Sequence, residues 1–276
     1  MTEQHVDPSD TSAWLPLDGL APGFDANKAP HSTGLSGRTI TVLNPNGSVI
    51  EHAFTDDRVQ WNYDAADGDP HGDDSGDDAY EAFAVDTGLY LVQFHTQVRP
   101  DDAVSLVIDL RSGRVLTVVT AIGEPDVRGT RVKQHFEAGL IAGIEPSGTA
   151  PAPTRALVGR RVMWTYSPQH AYEHIYLSPQ WYTWQCLAGP EKGLADTDEN
   201  SAYEIRPGIY VFAWREKIIP CASVTIADHR DVRNVRSHGA LFGLDESGTV
   251  PTHFTFGAFG RLISTTVHPE AYDPAL

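Results

Sequence analysis

WYTWQCLAGPEKGLADTD, residues 181–198, is the stretch on which the fold turns. It sets two tryptophans, a tyrosine and one of the two cysteines in a row, then closes on a run of acids. Over Trp181–Leu187, Tyr182, Trp184 and Cys186 point one way and Thr183, Gln185 and Leu187 the other, because strand side chains have period two. Gly189-Pro190 and Gly193 end the strand. A strand this aromatic cannot be wet on both faces, so further strands must cover it.

Outside this stretch the chain repeats itself. Leu35-Ser36-Gly37-Arg38 returns as Leu157-Val158-Gly159-Arg160, an offset of 122. Gly88–Phe94 (GLYLVQF) matches Gly208–Trp214 (GIYVFAW) at 120, and Ala103–Ile108 matches Cys221–Ile226 at 118. Val59–Tyr63 corresponds loosely to Trp181–Trp184, and Tyr80-Glu81 to Tyr203-Glu204. A drifting offset is what a diverged duplication leaves behind. Within each copy, short runs of Val, Ile, Thr, Tyr, Phe and Trp alternate with Gly, Pro, Asn and Asp. Asn46-Gly47 turns a hairpin between Thr39–Leu43 and Val49–Phe54, and Arg111-Ser112-Gly113 does so between Ser105–Leu110 and Arg114–Ala121. No stretch beyond about ten residues keeps a helical period. The expected fold is all-β, two tandem antiparallel barrels, which remove edge strands by closing. Residues 1–34 form a leader carrying Trp14, Leu15, Leu17 and Phe24. It wraps the surface, plugs a cavity mouth, or is disordered. The first barrel is expected over 35–147, a linker over 148–154 and the second barrel over 155–276.

Twenty Lys plus Arg against 37 Asp plus Glu leave a net charge of −17. Such a surface repels phosphate backbones and anionic lipid, so neither nucleic acid nor a membrane is an expected partner. Cys186 and Cys221 are too few for a disulfide scaffold and lack zinc spacing. The start MTEQHVDPSD shows no basic and apolar signal pattern, and no apolar run suits a membrane helix. The expected location is the cytoplasm.

Several runs carry a family resemblance. MWTYSPQHAYEHIYLSPQWYTWQCLAGPEKGLADTDENSAYEIRPGIYVFAWREK, residues 163–217, resembles the C-terminal domain of the MoaF family, molybdenum cofactor biosynthesis protein F. LSGRTITVLNPNGSVIEHAFTDDRVQWNYD at 35–64, LVQFHTQ at 91–97 and the leader WLPLDGLAPGFDANK at 14–28 are similar to its N-terminal part. The most specific pieces are YEH, YTWQCLAG, EKGLADTD and WREK. The resemblance implies two lipocalin-like (calycin-type) barrels and leaves activity open. The residues themselves give molybdenum cofactor chemistry little to work with: there is no nucleotide-binding glycine loop, no iron–sulfur cysteine set and little basic charge for a phosphate. No cofactor is expected, and an accessory role linked to the molybdenum cofactor is the least favoured reading.

Parity sorts the second copy into faces. If the aromatic faces turn inward, Trp164, Tyr166, Tyr176, Trp184, Tyr210 and Trp214 line a cavity into which His174 and Glu216 project. Aromatic walls with a few placed polar groups suit a ligand site, and a His/Glu pair suits proton transfer. The bland reading is a solid small-barrel core with Glu216 ion-paired to Arg160 or Arg161 at the rim. Arg215, with Lys217, would bind a carboxylate, or would pair with Asp196 or Asp198. In the first copy, Leu89, Leu91, Gln93 and His95 share a face, with Trp61 and Tyr63 nearby. The acidic run 64–78 reads as a long loop, and the GLADTD segment as a loop turned by its aspartates. His229, His238, His253 and His268 show no metal spacing, and no metal site is expected.

The leading expectation is an enzyme of the lyase or isomerase kind, binding a hydrophobic or aromatic metabolite in the second barrel. His174 and Glu216 would move the proton, with Tyr166 and Tyr176 orienting the substrate. The alternative is a carrier or sensor with no chemistry. A third reading makes the first barrel, poorer in polar groups set among rings, a dimerisation surface.

Overall fold

The computed structural model describes residues 11, 14–70, 72–126 and 130–276. They form two compact units. One comprises Ala29–Gly123 and Lys133–Ala152; the other comprises Glu124–Val132, Pro153–Leu276 and the described residues of Met1–Lys28. The leader thus divides. Phe24 and the described residues before it belong with the second barrel. His31 and Ser32 belong with the first, where Ala82 donates its N–H to His31 Nδ1 and accepts from the Ser32 N–H.

In the first unit, β1 (Thr39–Leu43), β2 (Val49–Phe54), β3 (Arg58–Asp64), β4 (Asp74–Asp86), β5 (Leu89–His95), β6 (Asp102–Asp109), β7 (Arg114–Ile122) and β8 (Val132–Ile141) run in sequence order into a closed antiparallel barrel. Val42 opposite Ile141 makes the closure. A two-residue strand, β9 (Ala152–Pro153), falls where the units divide. The second unit repeats the plan with β10 (Arg160–Thr165), β11 (Ala171–Tyr176), β12 (Trp181–Ala188), β13 (Ala195–Arg206), β14 (Ile209–Arg215), β15 (Cys221–Asp228), β16 (Val235–Leu244) and β17 (Pro251–Thr265). Its ring closes through β10 against β17 and β12 against β13. The all-β reading and the two tandem barrels therefore hold. The one α-helix among the described residues, α1 (Leu17–Leu20), is four residues long.

The ladders fix the repeat more tightly than the sequence does. Ile40 faces His52 as Val162 faces His174, and His52 faces Trp61 as His174 faces Trp184. Both hairpins between the central strands turn on a glycine with positive φ, Gly88 at 68° and Gly208 at 79°. Two sequence matches need correction. Leu106 lies opposite Val92 and Thr225 opposite Phe212, so β6 maps onto β15 at 119, not 118. That single step reverses which face each residue takes. Tyr80 faces Phe94 where Asn200 faces Trp214, so Tyr80 corresponds to Asn200 and not to Tyr203.

Two acidic stretches read as loops are in part strand: 64–78 is strand at its two ends with a loop between, and 193–198 is strand from Ala195 on. Asp74 to Asp78 begin β4, paired to β3, and Asp196 and Asp198 lie in β13, paired to β12. Their charge is matched locally: Arg58 Nε is 2.6 Å from Asp77, and Lys217 Nζ is 2.5 Å from Asp196. His71, in the first stretch, lies outside the described residues.

Each barrel clamps a tryptophan to an aspartate. The Trp61 indole N–H donates to Asp78 at 2.8 Å, and the Trp184 indole N–H to Asp198 at 2.9 Å. The Trp61 ring lies over Gly76, where a Cβ would come within 2.6 Å of it. Gly76→Ala is therefore expected to push the ring off its aspartate and lower first-barrel stability by about 1–3 kcal/mol, read as a lower urea midpoint.

Candidate functional site

Trp164, Tyr166, His174, Tyr176, Trp184, Tyr210, Trp214 and Glu216 all lie buried in one core cluster or beside it in the second barrel. Alternation along β10, β11, β12 and β14 turns them to the same side. His174, 5% exposed, sits among the rings of Tyr182, Trp214, Phe212 and Tyr176, with centroids 5.2 to 6.2 Å away. Burial alone pulls its pKa down to about 3, so the imidazole is neutral, and its Nδ1 has no hydrogen-bond partner. Glu216, 9% exposed, accepts from the Trp214 indole N–H at 3.3 Å. Burial first, then the charges of Asp198 and Glu191, push its carboxyl well above the usual range, favouring the neutral acid. The rim arginines are engaged elsewhere: Arg161 forks onto Glu173 at 2.7 Å and Arg160 lies over the Tyr210 ring.

His174 and Glu216 face one small cavity of about 40 Å³, and a second, of about 10 Å³, lies among Trp164, Tyr176 and Tyr210. That is room for a few waters. The leader occupies the rest. Leu17 and Leu20 are buried, Phe24 packs on Tyr166 at 4.7 Å and Tyr172 at 5.7 Å, and Trp14 meets Trp184 edge-on at 5.4 Å. A catalytic acid or base works best with a pKa near the working pH. Burial moves His174 away from that range, to about 3, and raises Glu216 from the ordinary carboxylate value.

Arg215 and Lys217 take the other face. Arg215 Nε is 3.6 Å from Glu199, and Lys217 bridges Asp196 and Asp198. Cys186 and Cys221 are buried free thiols. Among the described residues no three His, Cys, Asp or Glu side chains gather as a metal centre, and no helix is long and apolar enough to cross a membrane.

The large space is in the other barrel. A cavity of about 530 Å³ lies inside β1–β8. Ile50, Trp61, Phe94, Val104 and Leu106 form its apolar walls, and Asn44, Tyr63, Asp69, Arg99, Asp102 and Glu137 are among its polar lining. Trp61 is thus a lining residue. His95 is not: Tyr90, Val92 and Phe94 turn toward the core, and His95 Nε2 lies 2.6 Å from the Pro100 carbonyl oxygen. The expectation of a poorer first barrel is reversed, and the register explains why. Asn44, Ile50 and Val92 stand where the second barrel has Tyr166, Tyr172 and Phe212. Smaller side chains at matched positions leave the interior unfilled.

His52 also lines this cavity and was missed. It is the counterpart of His174, buried, drawn down to about 4 by that burial, and without a partner for Nδ1. Its signal was present as Glu51-His52 and Glu173-His174, separated by the same 122 residues as the two L-x-G-R motifs.

The two halves match known family models. Residues 12–124 match the MoaF N-terminal domain and residues 151–266 the MoaF C-terminal domain. Protein MoaF of Klebsiella aerogenes is 31% identical over 281 residues, covering 94% of this chain and 98% of that one. The chain belongs to the MoaF family. The N-terminal match spans β1–β7 of the first barrel and the C-terminal match spans β10–β17 of the second. Solved structures are more distant. A putative β-lactamase from Burkholderia vietnamiensis aligns over 42% of this chain and all of its own, at 16% identity and a TM-score of 0.33. A DUF3598-family protein of unknown function from Nostoc punctiforme aligns over 81% of this chain and 93% of its own, at 11% identity and a TM-score of 0.32. Neither likeness is close enough to carry a fold or a function.

Proposed function

We propose that this MoaF-family chain binds a small organic molecule inside its first barrel, as a carrier or sensor. The carrying observation is the volume: about 530 Å³ in the first barrel against about 40 and 10 Å³ in the second. Ligand sites span roughly 300–1,000 Å³, with apolar walls and a few polar groups. The matched residue in the other barrel supplies the test. Ile50→Tyr installs the ring that the second barrel carries as Tyr172 and should fill the space. Native mass spectrometry of protein purified from cells should show an added small-molecule mass on the parent and none on folded Ile50→Tyr. An equal added mass on both would refute the assignment.

Lyase or isomerase chemistry in the second barrel is the second reading. It is favoured by one observation, the unpartnered Nδ1 of His174 facing the same small cavity as Glu216. Substrate would have to displace Leu20 and Phe24, which help line that cavity. Turnover lost in His174→Ala and Glu216→Gln, with Ile50→Tyr active, would support it. In either reading the protein works in the cytoplasm on a small molecule, without nucleic acid or membrane, and a homodimer is compatible with both.

A further inference from the structure

We infer that the ligand of the first barrel is a protonated amine on an apolar, ring-bearing body, its ammonium held at the mouth by Asp69 and Glu137 beside Tyr63. This rests on the binding reading above and narrows it to a chemical class.

The mouth is the end of the barrel where β1 turns into β2, β3 leaves and β4 and β6 begin. Tyr63 donates its hydroxyl to Asp69 Oδ2 at 2.5 Å. Burial raises the Tyr63 phenol, and the hydrogen bond to Asp69 and the charges of Asp69 and Glu137 raise it further. Both carboxylates therefore act on one point of the mouth. The arginine nearby is ion-paired, with its Nε left without a hydrogen-bond partner. Arg99 lines the cavity, but its guanidinium stands 3.3 Å from Asp74 and 3.6 Å from Asp102. His52 and His135 are the other basic side chains of the lining, which also holds Asp69, Asp102 and Glu137. An anionic ligand would meet repulsion there and a cationic one attraction.

A second, independent feature points the same way. Asn44 lines the cavity, is 8% exposed, and spends its amide N–H on Ser48 Oγ at 3.0 Å. Its Oδ1 has no hydrogen-bond partner, and neither has Thr117 Oγ1. A buried acceptor without a donor costs about 1–3 kcal/mol, so the site gains from a ligand that brings N–H groups. An ammonium supplies three donors and no acceptor. Below the mouth, Ile50, Trp61, Phe94 and Leu106 offer walls for an apolar body and nothing for a second charge.

Calorimetric titration of the full chain with three probes sharing one ring system tests this: naphthylmethylamine, naphthylmethanol and naphthoate. The amine should bind about tenfold or more tighter than the alcohol, as expected for a partly desolvated ion pair, and naphthoate weakest. Added salt should weaken the amine alone. Asp69→Asn with Glu137→Gln should bring the amine down to the alcohol's affinity and leave the alcohol unchanged. Amine and alcohol binding equally, or naphthoate binding best, would overturn the amine assignment while leaving the cavity as a ligand site. No binding of any probe by the unmodified chain would overturn both. The comparison among probes uses the unmodified protein, so it stands even if the double variant misfolds.

Discussion

Phe24→Ala should lower the stability of the second barrel by about 3–5 kcal/mol, the range for removing a large buried ring. Phe24 is 4% exposed and touches four rings: Tyr166 at 4.7 Å, His170 at 5.2 Å, Tyr172 at 5.7 Å and Phe254 at 5.9 Å. Tyr172 and Phe254 sit in the paired strands β11 and β17. Tyr166 and His170 sit in the short turn between β10 and β11, whose backbone is hydrogen-bonded from the Tyr166 N–H to the His170 carbonyl oxygen. These partners therefore have little freedom to close over the gap. The hole would merge with the small cavity that Phe24 itself lines. An apolar hole of ring size stays dry and takes up a matching ring. Added indole should therefore restore part of the lost denaturation midpoint in Phe24→Ala and do nothing to the parent. A loss under about 0.5 kcal/mol, the size of an ordinary surface change, would show that the leader does not hold the barrel together.

Glu216→Gln should stabilise the protein in neutral and alkaline solution. The folded state keeps the Glu216 carboxyl protonated well above the range in which an unfolded chain releases it. Its contribution is thus complete in acid, below the ordinary carboxylate range, and is lost as pH climbs until the buried carboxyl ionises. Over that climb the parent loses about 1.4 kcal/mol per pH unit from this position, and glutamine loses none. Urea midpoints of parent and variant should nearly coincide near pH 4 and separate steadily above it. His174 works with the opposite sign. Its pKa falls from 6.5 to about 3, so its contribution is complete above 6.5 and is lost as pH drops toward 3. The two slopes partly cancel in the parent. Glu216→Gln should therefore also uncover a steeper acid limb, which His174→Gln flattens again. A Gln variant weaker than the parent at every pH would mean that Glu216 is ionised and paired.

Much of the second barrel was legible because strand parity depends only on counting. Trp164, Tyr166, His174, Tyr176, Trp184, Tyr210, Trp214 and Glu216 turn inward together. Whether they enclose a space does not follow from parity. That depends on three-dimensional filling, here by Leu17, Leu20 and Phe24 from a segment with no periodic pattern of its own. The hollow first barrel was hidden for a related reason. Asn44, Ile50 and Val92 look unremarkable until set beside Tyr166, Tyr172 and Phe212. The acidic strands misled because composition speaks of solvent, and one face of a strand satisfies that as well as a loop does.

The hollow and filled copies share one frame, in which a buried histidine faces a tryptophan that is clamped to an aspartate: His52, Trp61 and Asp78 in one, His174, Trp184 and Asp198 in the other. Whatever both copies keep belongs to the scaffold, and whatever only the hollow copy has is what a guest molecule would select. The chain thus carries its own reference sample, and subtracting one barrel from the other leaves Asn44, Ile50, Tyr63 and the mouth carboxylates as the residues to vary when searching for that guest.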